Sequence, residues 1–370
     1  MREEMKKVPR IRFRGFQEDW ELCKLEEIVD VRSGRDYKHL GSGNIPVYGT
    51  GGYMLSVSEA LSYDEDAIGI GRKGTINNPY ILKAPFWTVD TLFYTVPKNN
   101  FDLNFIYSIF RKTNWKSKDE STGVPSLSKT TINAVTVYIP SGSEQQRIGK
   151  FFKQLDDTIT LHQRKLDQLK ELKKAYLQLM FPVKDERVPK LRFADFEEEW
   201  EQCKLEDLAN KYNNLRIPIT ASKRIYGNTP YYGANGIQDF VEGYTHDGEF
   251  ILVAEDGASN LKDYPVQYVN GKVWVNNHAH VLQAKRSKAD NKFLMNAIKS
   301  INIEPFLVGG GRSKLNSEVM MNLEINTPSK DEQLKISTLC KQLDDITALY
   351  QNKLNQLKNL KKSYLQNMFI

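Results

Sequence analysis

The sequence predicts a mixed α/β (α+β) fold that is built twice, each time as a small domain followed by one long helix. Residues 153–181 and 341–369 are identical at 20 of 29 positions, and residues 8–28 and 188–208 are identical at 12 of 21 positions. Between these repeated segments lie short apolar runs bounded by Gly, Asn and Pro, which are typical of strands. Because the segments recur in the same order, the chain is a tandem duplication.

The duplication sets the predicted domain boundaries. We expect a first domain over residues 1–142, its helix over 143–181, a second domain over 182–328 and a second helix over 329–370. Residues 182–187 are polar and begin with a proline, so they are predicted to link the two repeats.

The interior of each domain is predicted to contain several strands, one short helix and one divergent loop. The strands are expected at 67–70, 87–96, 250–254 and 273–282, the helices at 103–111 and 292–299, and the loops at 121–127 and 309–315. These interiors differ far more between the repeats than the long helices do. Shared scaffolds with different loops suggest that the two domains recognise two different things.

Apolar residues in each long helix recur with the alternating three- and four-residue spacing of a heptad seam. The seam residues are Leu155, Ile159, Leu166 and Leu169 in the first helix and Leu343, Leu354 and Leu357 in the second. At about 1.5 Å per residue, each helix is a rod on the order of 50 Å long that can act as a spacer. Each narrow stripe needs a partner, and the other copy is the expected one. Periodicity alone fits an incidental bundle or an oligomerisation coil equally well.

Composition places the chain among ordinary globular proteins, with 40% hydrophobic and 26% charged residues among 370. The net charge of +6 and the pI of about 8.9 fit a nucleic acid or another acidic partner. No apolar run approaches the roughly 18 to 20 residues of a membrane span, and the N-terminus is charged, so we expect a cytoplasmic protein. Three cysteines without a Cys-x-x-Cys pair argue against a disulfide framework or a zinc site.

Two motifs suggest cofactor chemistry but lack the context that it requires. Gly69-x-Gly71-x-x-Gly74 matches a dinucleotide fingerprint, yet the following Thr-Ile-Asn-Asn-Pro cannot open the helix that would receive a pyrophosphate. Asn78-Pro79-Tyr80 lacks the second proline of the amino-methyltransferase signature. A glycine-flanked basic turn and a loop with a proline describe these two segments better, so neither motif predicts a cofactor site.

His278-x-His280, which lies near Glu255 and Asp256, could be imagined as a metal site on one face of a strand. The comparison of the repeats places Asp90 and Leu92 at the positions of the two histidines. This difference favours hydrogen-bonded histidines on a half-buried strand, so no metal site is predicted. The acidic pairs 156–157 and 344–345 flank seam leucines, where solvated or partner-facing carboxylates are expected.

Basic residues recur in the loops of both domains. Lys and Arg neutralise phosphates, and Arg also reads base edges in the major groove. The candidate DNA-binding residues are Arg35, Lys38, Arg72, Lys73, Lys116 and Lys118 in the first domain and Arg216, Lys223, Arg224, Lys262, Arg312 and Lys314 in the second. A single cation of this kind is usually a solvated surface charge, so the prediction depends on their clustering in both repeats.

The order of several local strings identifies a resemblance to a known family. These strings are Trp-x-x-Cys-Lys-Leu-Glu, Ile-Pro-Val-Tyr-Gly, Val-Asn-Asn-His-Ala-His-Val-Leu and Pro-Ser-x-x-Glu-Gln. Together with the duplication, they resemble the specificity subunit of type I restriction-modification systems over essentially the whole chain.

The resemblance implies two target recognition domains that each read half of a bipartite DNA site, with the two helices packed as an antiparallel coiled coil. It also implies that the chain is not an enzyme and has no catalytic and no cofactor-binding residue, which agrees with the incomplete cofactor motifs. Methylation would come from two methyltransferase subunits that use S-adenosylmethionine, and cleavage from restriction subunits that use ATP and Mg. The base-contacting residues do not carry over, because the family has no common motif in its variable loops.

Two alternatives from other classes stay open at the level of sequence. One is a self-contained DNA adenine methyltransferase with fused recognition domains, which would transfer methyl groups without a partner. The other is a coiled-coil scaffold without a DNA role, which would have no affinity for DNA.

Overall fold

The structure, a computed structural model, describes residues 7–98, 100–183, 186–310 and 313–370. It divides into two compact units. Unit 1 contains the chain up to Arg164 together with Gln351–Ile370, and unit 2 contains Lys165–Tyr350. Each unit therefore combines the domain of one repeat with segments of both long helices. The mixed α/β fold class predicted from the sequence is confirmed.

Unit 1 contains nine strands and three short helices among its described residues, followed by the start of a long helix. They are β1 (Glu21–Lys24), α1 (Leu25–Ile28), β2 (Val29–Ser33), β3 (Ser42–Gly49), β4 (Gly52–Val57), β5 (Ala67–Gly71), β6 (Tyr80–Leu82), β7 (Trp87–Thr88), β8 (Leu92–Pro97), α2 (Leu103–Lys112), α3 (Lys129–Asn133), β9 (Thr136–Ile139) and α4 (Gly142–Leu179). A 3-10 helix covers Trp115–Lys118.

Three sheets organise unit 1. Their strand orders are β1-β9, β2-β8-β5-β6 and β4-β3-β7. The last sheet includes a parallel pairing of β3 with β7, and its other pairing is an antiparallel hairpin. The main core is aromatic, with the ring centroids of Trp20 and Phe105 6.0 Å apart and those of Phe105 and Phe369 5.5 Å apart. Since Phe369 follows the second long helix, the end of that helix completes the core of the first domain.

Unit 2 repeats this plan with its own elements. They are β10 (Glu201–Lys204), α5 (Leu205–Leu208), β11 (Ala209–Lys211), β12 (Tyr226–Gly233), β13 (Gly236–Val241), β14 (His246–Ala254), β15 (Val266–Val275), β16 (Ala279–Ala284), α6 (Asn291–Ser300), β17 (Leu307–Val308), β18 (Lys314–Leu315), α7 (Ser317–Met321), β19 (Glu324–Thr327) and α8 (Lys330–Asn367). Short 3-10 helices cover Asn213–Leu215, Ala221–Lys223 and Glu304–Phe306.

Six of the described strands of unit 2 join into one sheet, β11-β16-β14-β15-β12-β13, beside the pairs β10-β19 and β17-β18. Its core repeats the aromatic arrangement of unit 1. The rings of Phe181 and Phe293 lie 5.6 Å apart, and Trp200 meets both of them edge-on. Phe181 follows α4, so the helix of the first repeat completes the core of the second domain.

The predicted elements and the observed ones differ mainly at turns. The runs 87–96 and 273–282 are each divided by a turn, after Thr88 and after Val275, because the chain must reverse to reach the neighbouring strand. The dinucleotide-like motif at the end of β5 leads into β6 rather than into a helix. Helix α2 extends one residue further than predicted and α6 one residue further at each end, and Asp102 and Asp290 cap their first turns.

In both units, an arginine of the opening segment pairs with a glutamate at the start of the long helix. Arg12 pairs with Glu144 through two hydrogen bonds of 2.8 Å, and Arg192 pairs with Glu332 in the same way. Both carboxylates are almost completely buried. A bidentate arginine satisfies such a carboxylate, and loss of either partner would cost about 3–5 kcal/mol. The pair fastens the opening segment of each repeat to the start of its long helix.

The two long helices run antiparallel within each unit. In unit 1, Asp156 of α4 pairs with Lys361 of α8, and in unit 2 Lys173 of α4 pairs with Asp344 of α8 at 2.5 Å. In unit 1 the ring centroids of Phe151 and Tyr364 are also 5.1 Å apart, so residue numbers fall on α8 as they rise on α4, which is the antiparallel sense. The two ion pairs occupy equivalent positions of the repeats, because 156 and 344 differ by the same 188 residues as 173 and 361.

Candidate nucleic-acid interface

The turn after β5 carries the first basic pair, Arg72 and Lys73. The Arg72 amide donates to Thr91 O at 2.8 Å, and its carbonyl accepts from the Leu127 amide at 2.9 Å. The guanidinium carbon lies 5.7 Å from the centroid of the Phe93 ring. The backbone of the turn is therefore fixed, while both cationic side chains stay exposed.

The other candidate cations of unit 1 also lie on anchored loops. Trp87 Nε1 donates to Arg35 O at 2.9 Å, which holds the loop that carries Arg35 and Lys38. The buried Trp115 donates to Phe110 O at 2.8 Å and begins the 3-10 helix that carries Lys116 and Lys118. Within the described ranges, none of the six candidate cations of unit 1 pairs with a carboxylate. They present unneutralised positive charge.

In unit 2, Arg216 and Lys314 surround a carboxylate instead. Glu255 lies 2.6 Å from Arg216 Nη1 and 2.8 Å from Lys314 Nζ, and His280 Nδ1 lies 3.4 Å away. Burial opposes ionisation of Glu255, but the hydrogen bonds from Lys314 and Arg216 outweigh it and lower the pKa of the carboxyl. Arg216 also donates to Ala279 O at 2.8 Å. The positive charge of Arg216 is therefore neutralised by a carboxylate within the domain.

Arg224 is likewise occupied within unit 2. Its guanidinium lies 4.2 Å from the centroid of the Tyr231 ring and 3.3 Å from the Asp239 carboxylate. Lys223 and Lys262 are exposed, and neither forms an ion pair in the part of unit 2 that the structure describes. The candidate Arg312 lies outside the described residues.

The two domains carry opposite charges at one equivalent turn. The Glu255 amide donates to His278 O and its carbonyl accepts from the Leu315 amide, just as Arg72 bonds to Thr91 and Leu127. Arg72-Lys73 therefore corresponds to Glu255-Asp256. The same turn of the scaffold thus carries two basic side chains in one repeat and two acidic side chains in the other.

This equivalence corrects the sequence comparison of the histidines. The ladders pair Ile70 with Phe93 and Val253 with His280, so Phe93 rather than Leu92 corresponds to His280. Likewise His278 corresponds to Thr91 rather than to Asp90. The sequence alignment was shifted by one residue because the strands around it have little identity.

The histidines themselves are held by hydrogen bonds. His278 lies in the turn before β16, not on a strand as predicted, and its Nδ1 is 2.5 Å from Asp256. His280 is buried in β16 between Asn213 and the carbonyl oxygen of Leu315. Burial lowers the pKa of His280 and keeps it neutral near pH 7. Among the described residues, no group of three or more His, Cys, Asp or Glu side chains could hold a metal ion.

The seam residues of the long helices differ in burial. Leu155, Leu166, Leu169, Leu343 and Leu354 are buried, whereas Ile159 and Leu357 are half-buried. The acidic pairs beside the seam divide their roles: the first member of each bridges to the other helix, and the second pairs with a lysine on its own helix. The sequence predicted solvated or partner-facing carboxylates here, and the structure shows that the first member of each pair faces the partner helix.

Among the exposed leucines of the long helices, two on each helix lie away from the buried seam at positions that are equivalent in the two repeats. Leu161 and Leu349 are each 65% exposed, and Leu172 and Leu360 are each 44% exposed. The members of each pair are equivalent between the repeats. On one helix the two leucines are separated by 11 residues, about three turns, so they lie on the same face. Sequence reasoning did not single these leucines out.

Comparison with known proteins locates this architecture in one family. The model of the type I restriction modification DNA specificity domain matches residues 17–171 and 197–359. A putative type I restriction enzyme specificity subunit of Haemophilus influenzae is 46% identical over 153 residues, which is 41% of this chain and 38% of that protein. The MjaVIII specificity subunit of Methanocaldococcus jannaschii is 20% identical over 94% of this chain and 91% of its own length.

A solved structure has the same fold over nearly the whole chain. It is the S subunit of a type I restriction-modification system from M. genitalium, with a TM-score of 0.76, 14% identity and coverage of 98% of this chain and 99% of that chain. No helix among the described residues has the length and apolar character needed to cross a membrane. The resemblance seen in the sequence is confirmed: the chain belongs to the family of type I restriction-modification DNA specificity proteins, with two copies of the family's domain.

Proposed function

We propose that this chain reads a bipartite double-stranded DNA target for a type I restriction-modification complex, with one domain for each half-site. The observation that carries the proposal is the matched turn with opposite charges, Arg72-Lys73 in unit 1 and Glu255-Asp256 in unit 2. A protein that read one sequence twice would keep the same side chains on both copies of its scaffold. Different side chains on one scaffold fit two different half-sites.

In this proposal the chain itself makes and breaks no bond. Two methyltransferase subunits would bind S-adenosylmethionine, and restriction subunits would bind ATP and Mg. The chain would bring them to the target in the bacterial cytoplasm, where the genomic DNA lies. The 12 candidate cations of the sequence would serve unequally, because Arg216, Arg224 and Lys314 are already neutralised by carboxylates.

The exposed leucines support the proposed docking of two copies of one partner. Leu161 and Leu349 are equivalent and equally exposed, as are Leu172 and Leu360. Loss of water from a leucine side chain stabilises a complex by about 1.5–3 kcal/mol when the contact is complete. Equal apolar faces on both helices suit two identical methyltransferase subunits better than two different proteins.

Co-expression with a methyltransferase subunit tests the proposal. Single-molecule sequencing of the host DNA is expected to show adenine methylation at one bipartite motif, and only when both proteins are present. Methyl transfer by the purified chain alone would identify a self-contained enzyme instead. Absence of both a methylated motif and DNA affinity would identify a scaffold without a DNA role.

A further inference from the structure

Unit 1 contains an open cleft between three of its loops. The cleft has a volume of about 710 Å³ and lies between the loop after β2, the β3–β4 hairpin turn and the loop between β7 and β8. The side chains that matter here are Asp36, Lys38, Thr50, Tyr53, Asp90 and Thr91. We infer that this cleft reads the half-site of the first domain and that Asp36, Lys38 and Asp90 determine its sequence. The inference rests on the proposed function.

Hydrogen bonds fix the backbone of all three loops. Trp87 Nε1 donates to Arg35 O at 2.9 Å beside the first loop, and Tyr80 Oη donates to Gly49 O at 2.5 Å at the hairpin turn. The third loop accepts the Arg72 amide at Thr91 O. A Cβ at Gly34 would lie 2.0 Å from Val89 O, so only glycine lets the first and third loops meet. Fixed loops lower the entropy cost of binding.

The functional groups in this cleft are free although its backbone is fixed. In the described part of the chain, the side chains of Asp36, Lys38 and Asp90 are exposed and take part in no ion pair. Elsewhere in unit 1, Asp30 and Asp66 pair with nearby cations. Unpaired donors and acceptors on a rigid frame are suited to a polar ligand.

The exposed lysine and aspartates of the cleft can hydrogen-bond to the edges of DNA bases. Lysine donates to the O6 and N7 acceptors of guanine, and aspartate accepts from the N4 amino group of cytosine. Tyr53, which is 63% exposed, adds an aromatic face at the rim. Arg72 Nη1 lies 3.4 Å from Asp90 O, so the basic turn with Lys73 borders the cleft and is placed to neutralise phosphates.

The corresponding hairpin turn of unit 2 is bridged to a neighbouring loop. Asn235 Nδ2 donates to Gly257 O at 2.9 Å, and Asn235 Oδ1 accepts from the Ser259 amide at 2.8 Å. In unit 1, a Cβ at Gly51 would meet nothing within 4 Å. The two domains therefore present this hairpin turn differently: Asn235 links it to a neighbouring loop in unit 2, whereas Gly51 has no side chain to do so in unit 1.

Three near-isosteric variants test the inference in the complex with the methyltransferase subunit. Asp36→Asn and Asp90→Asn replace a carboxylate oxygen by an amide donor, and Lys38→Met removes the donor. Each is expected to reduce discrimination about 10- to 100-fold at one or two positions of one half-site. The other half-site stays unchanged. Asp64→Asn, which alters an exposed carboxylate that does not line the cleft, serves as the control.

The readouts are the methylated motif in the host genome and binding to DNA libraries in which one half-site is randomised. The altered half must be the one that replacement of the second domain leaves intact. An unchanged motif in all three variants, or a uniform loss of affinity for every sequence, would overturn the inference while the bipartite motif of the unaltered protein still supported the proposed function. If the unaltered protein produced no bipartite motif, the proposed function itself would fail.

Discussion

Arg72 and Arg216 are both loop arginines, but their neighbours give them different roles. Arg72 has an aromatic ring beside it and no carboxylate partner among the described residues, whereas Arg216 lies against Glu255 and three backbone carbonyls. A cation that is already paired gains little from a phosphate, because it must first give up its carboxylate. Among the candidate cations that the structure describes, more are therefore unpaired in the first domain than in the second.

Replacing both Arg72 and Lys73 by alanine should weaken DNA binding without unfolding unit 1. Both side chains are exposed, and the backbone hydrogen bonds of the turn do not need them. We expect the slope of log affinity against log salt to shrink by about one to two units. DNA titration at several salt concentrations measures it.

A matched control removes the same charge from paired cations. Lys24→Ala with Lys83→Ala deletes lysines that lie 3.3 Å from Glu26 and 2.5 Å from Asp66. The salt slope of this control should stay close to that of the unaltered protein. Equal slopes for both double variants would show that only net charge matters, and the DNA contact at Arg72 and Lys73 would be withdrawn.

Glu255→Gln should destabilise unit 2 in a pH-dependent way. The pKa of Glu255 is lowered in the folded protein, so its stabilising contribution is present above the unfolded value of about 4.3 and is lost as the pH falls through the folded value. At pH 7 the variant leaves Arg216 without its carboxylate, which costs about 1–3 kcal/mol. The difference in the free energy of unfolding should narrow toward pH 3. A difference that is constant from pH 7 to pH 3 would contradict this account.

The long helices have two apolar sides with different environments. One side contains the buried leucines of the seam, and the other exposes Leu161 and Leu172 on α4 and their equivalents on α8. The reciprocal pairs Asp156–Lys361 and Lys173–Asp344 hold the two helices in register within each unit. At the scale of elements, helix pairing uses one face, and the proposed docking of the methyltransferase subunits would use the other.

Leu155→Asp and Leu161→Asp should separate these two faces. The first places a carboxylate at a buried position and should cost about 3 kcal/mol or more of folding free energy. The second changes a leucine that is 65% exposed, so folding should survive while binding of the methyltransferase subunit weakens. Thermal unfolding and size-exclusion with the partner subunit measure the two effects. Normal partner binding by a folded Leu161→Asp variant would remove this leucine from the proposed docking face.

Lengthening both helices tests whether they act as a ruler. Insertion of four residues after Asp157 and four after Asp345 adds about 6 Å to each helix. The matched insertion lets both Asp–Lys ion pairs form. Both residues of one pair lie on the same side of the two added segments, and both residues of the other pair lie on the opposite side. The gap of the methylated motif should grow by one or two base pairs with both halves unchanged. Insertion in α4 alone breaks the register and should impair assembly. An unaltered gap in the matched variant would contradict the ruler model.

At the scale of the whole molecule, each unit is completed by residues from the other repeat. The core of unit 1 contains Phe369, which follows α8, and the core of unit 2 contains Phe181, which follows α4. The Arg192–Glu332 pair holds the second domain to the start of α8. If the second domain is replaced and these contacts are kept, the recognised DNA sequence should change while the unit still folds.

Replacing residues between Cys203 and Pro328 by the domain of a related specificity protein should change one half of the target. The replaced segment excludes Arg192, Glu332 and Phe181, but it includes Asp290, whose carboxylate accepts from Ser337. The donor domain must therefore keep an aspartate there. Sequencing of methylated motifs should show one new half-site and one retained half-site. A change in both halves would show that the domains do not read independently.

The sequence by itself determined the parts of this protein that were copied. Identity between the repeats located both long helices, and heptad spacing located leucines that the structure places at buried or half-buried positions. The short helices were also predictable, because Asp102 and Asp290 cap segments with helical periodicity. Local patterns are sufficient here since helix formation and apolar spacing depend on residues close in the chain.

Only the tertiary structure decided which side chains are available to a ligand. Arg216 and Lys38 are both loop cations in the sequence. Arg216 forms an ion pair with Glu255, which is 39 residues away in the chain, and no local sequence pattern predicts that contact. The one-residue shift at the histidines has the same origin, because strand register is set by partners distant in sequence. The open cleft of unit 1 depends on three loops that meet only in the folded chain. Local sequence fixes periodicity, but the charge that a ligand meets is decided by long-range contacts.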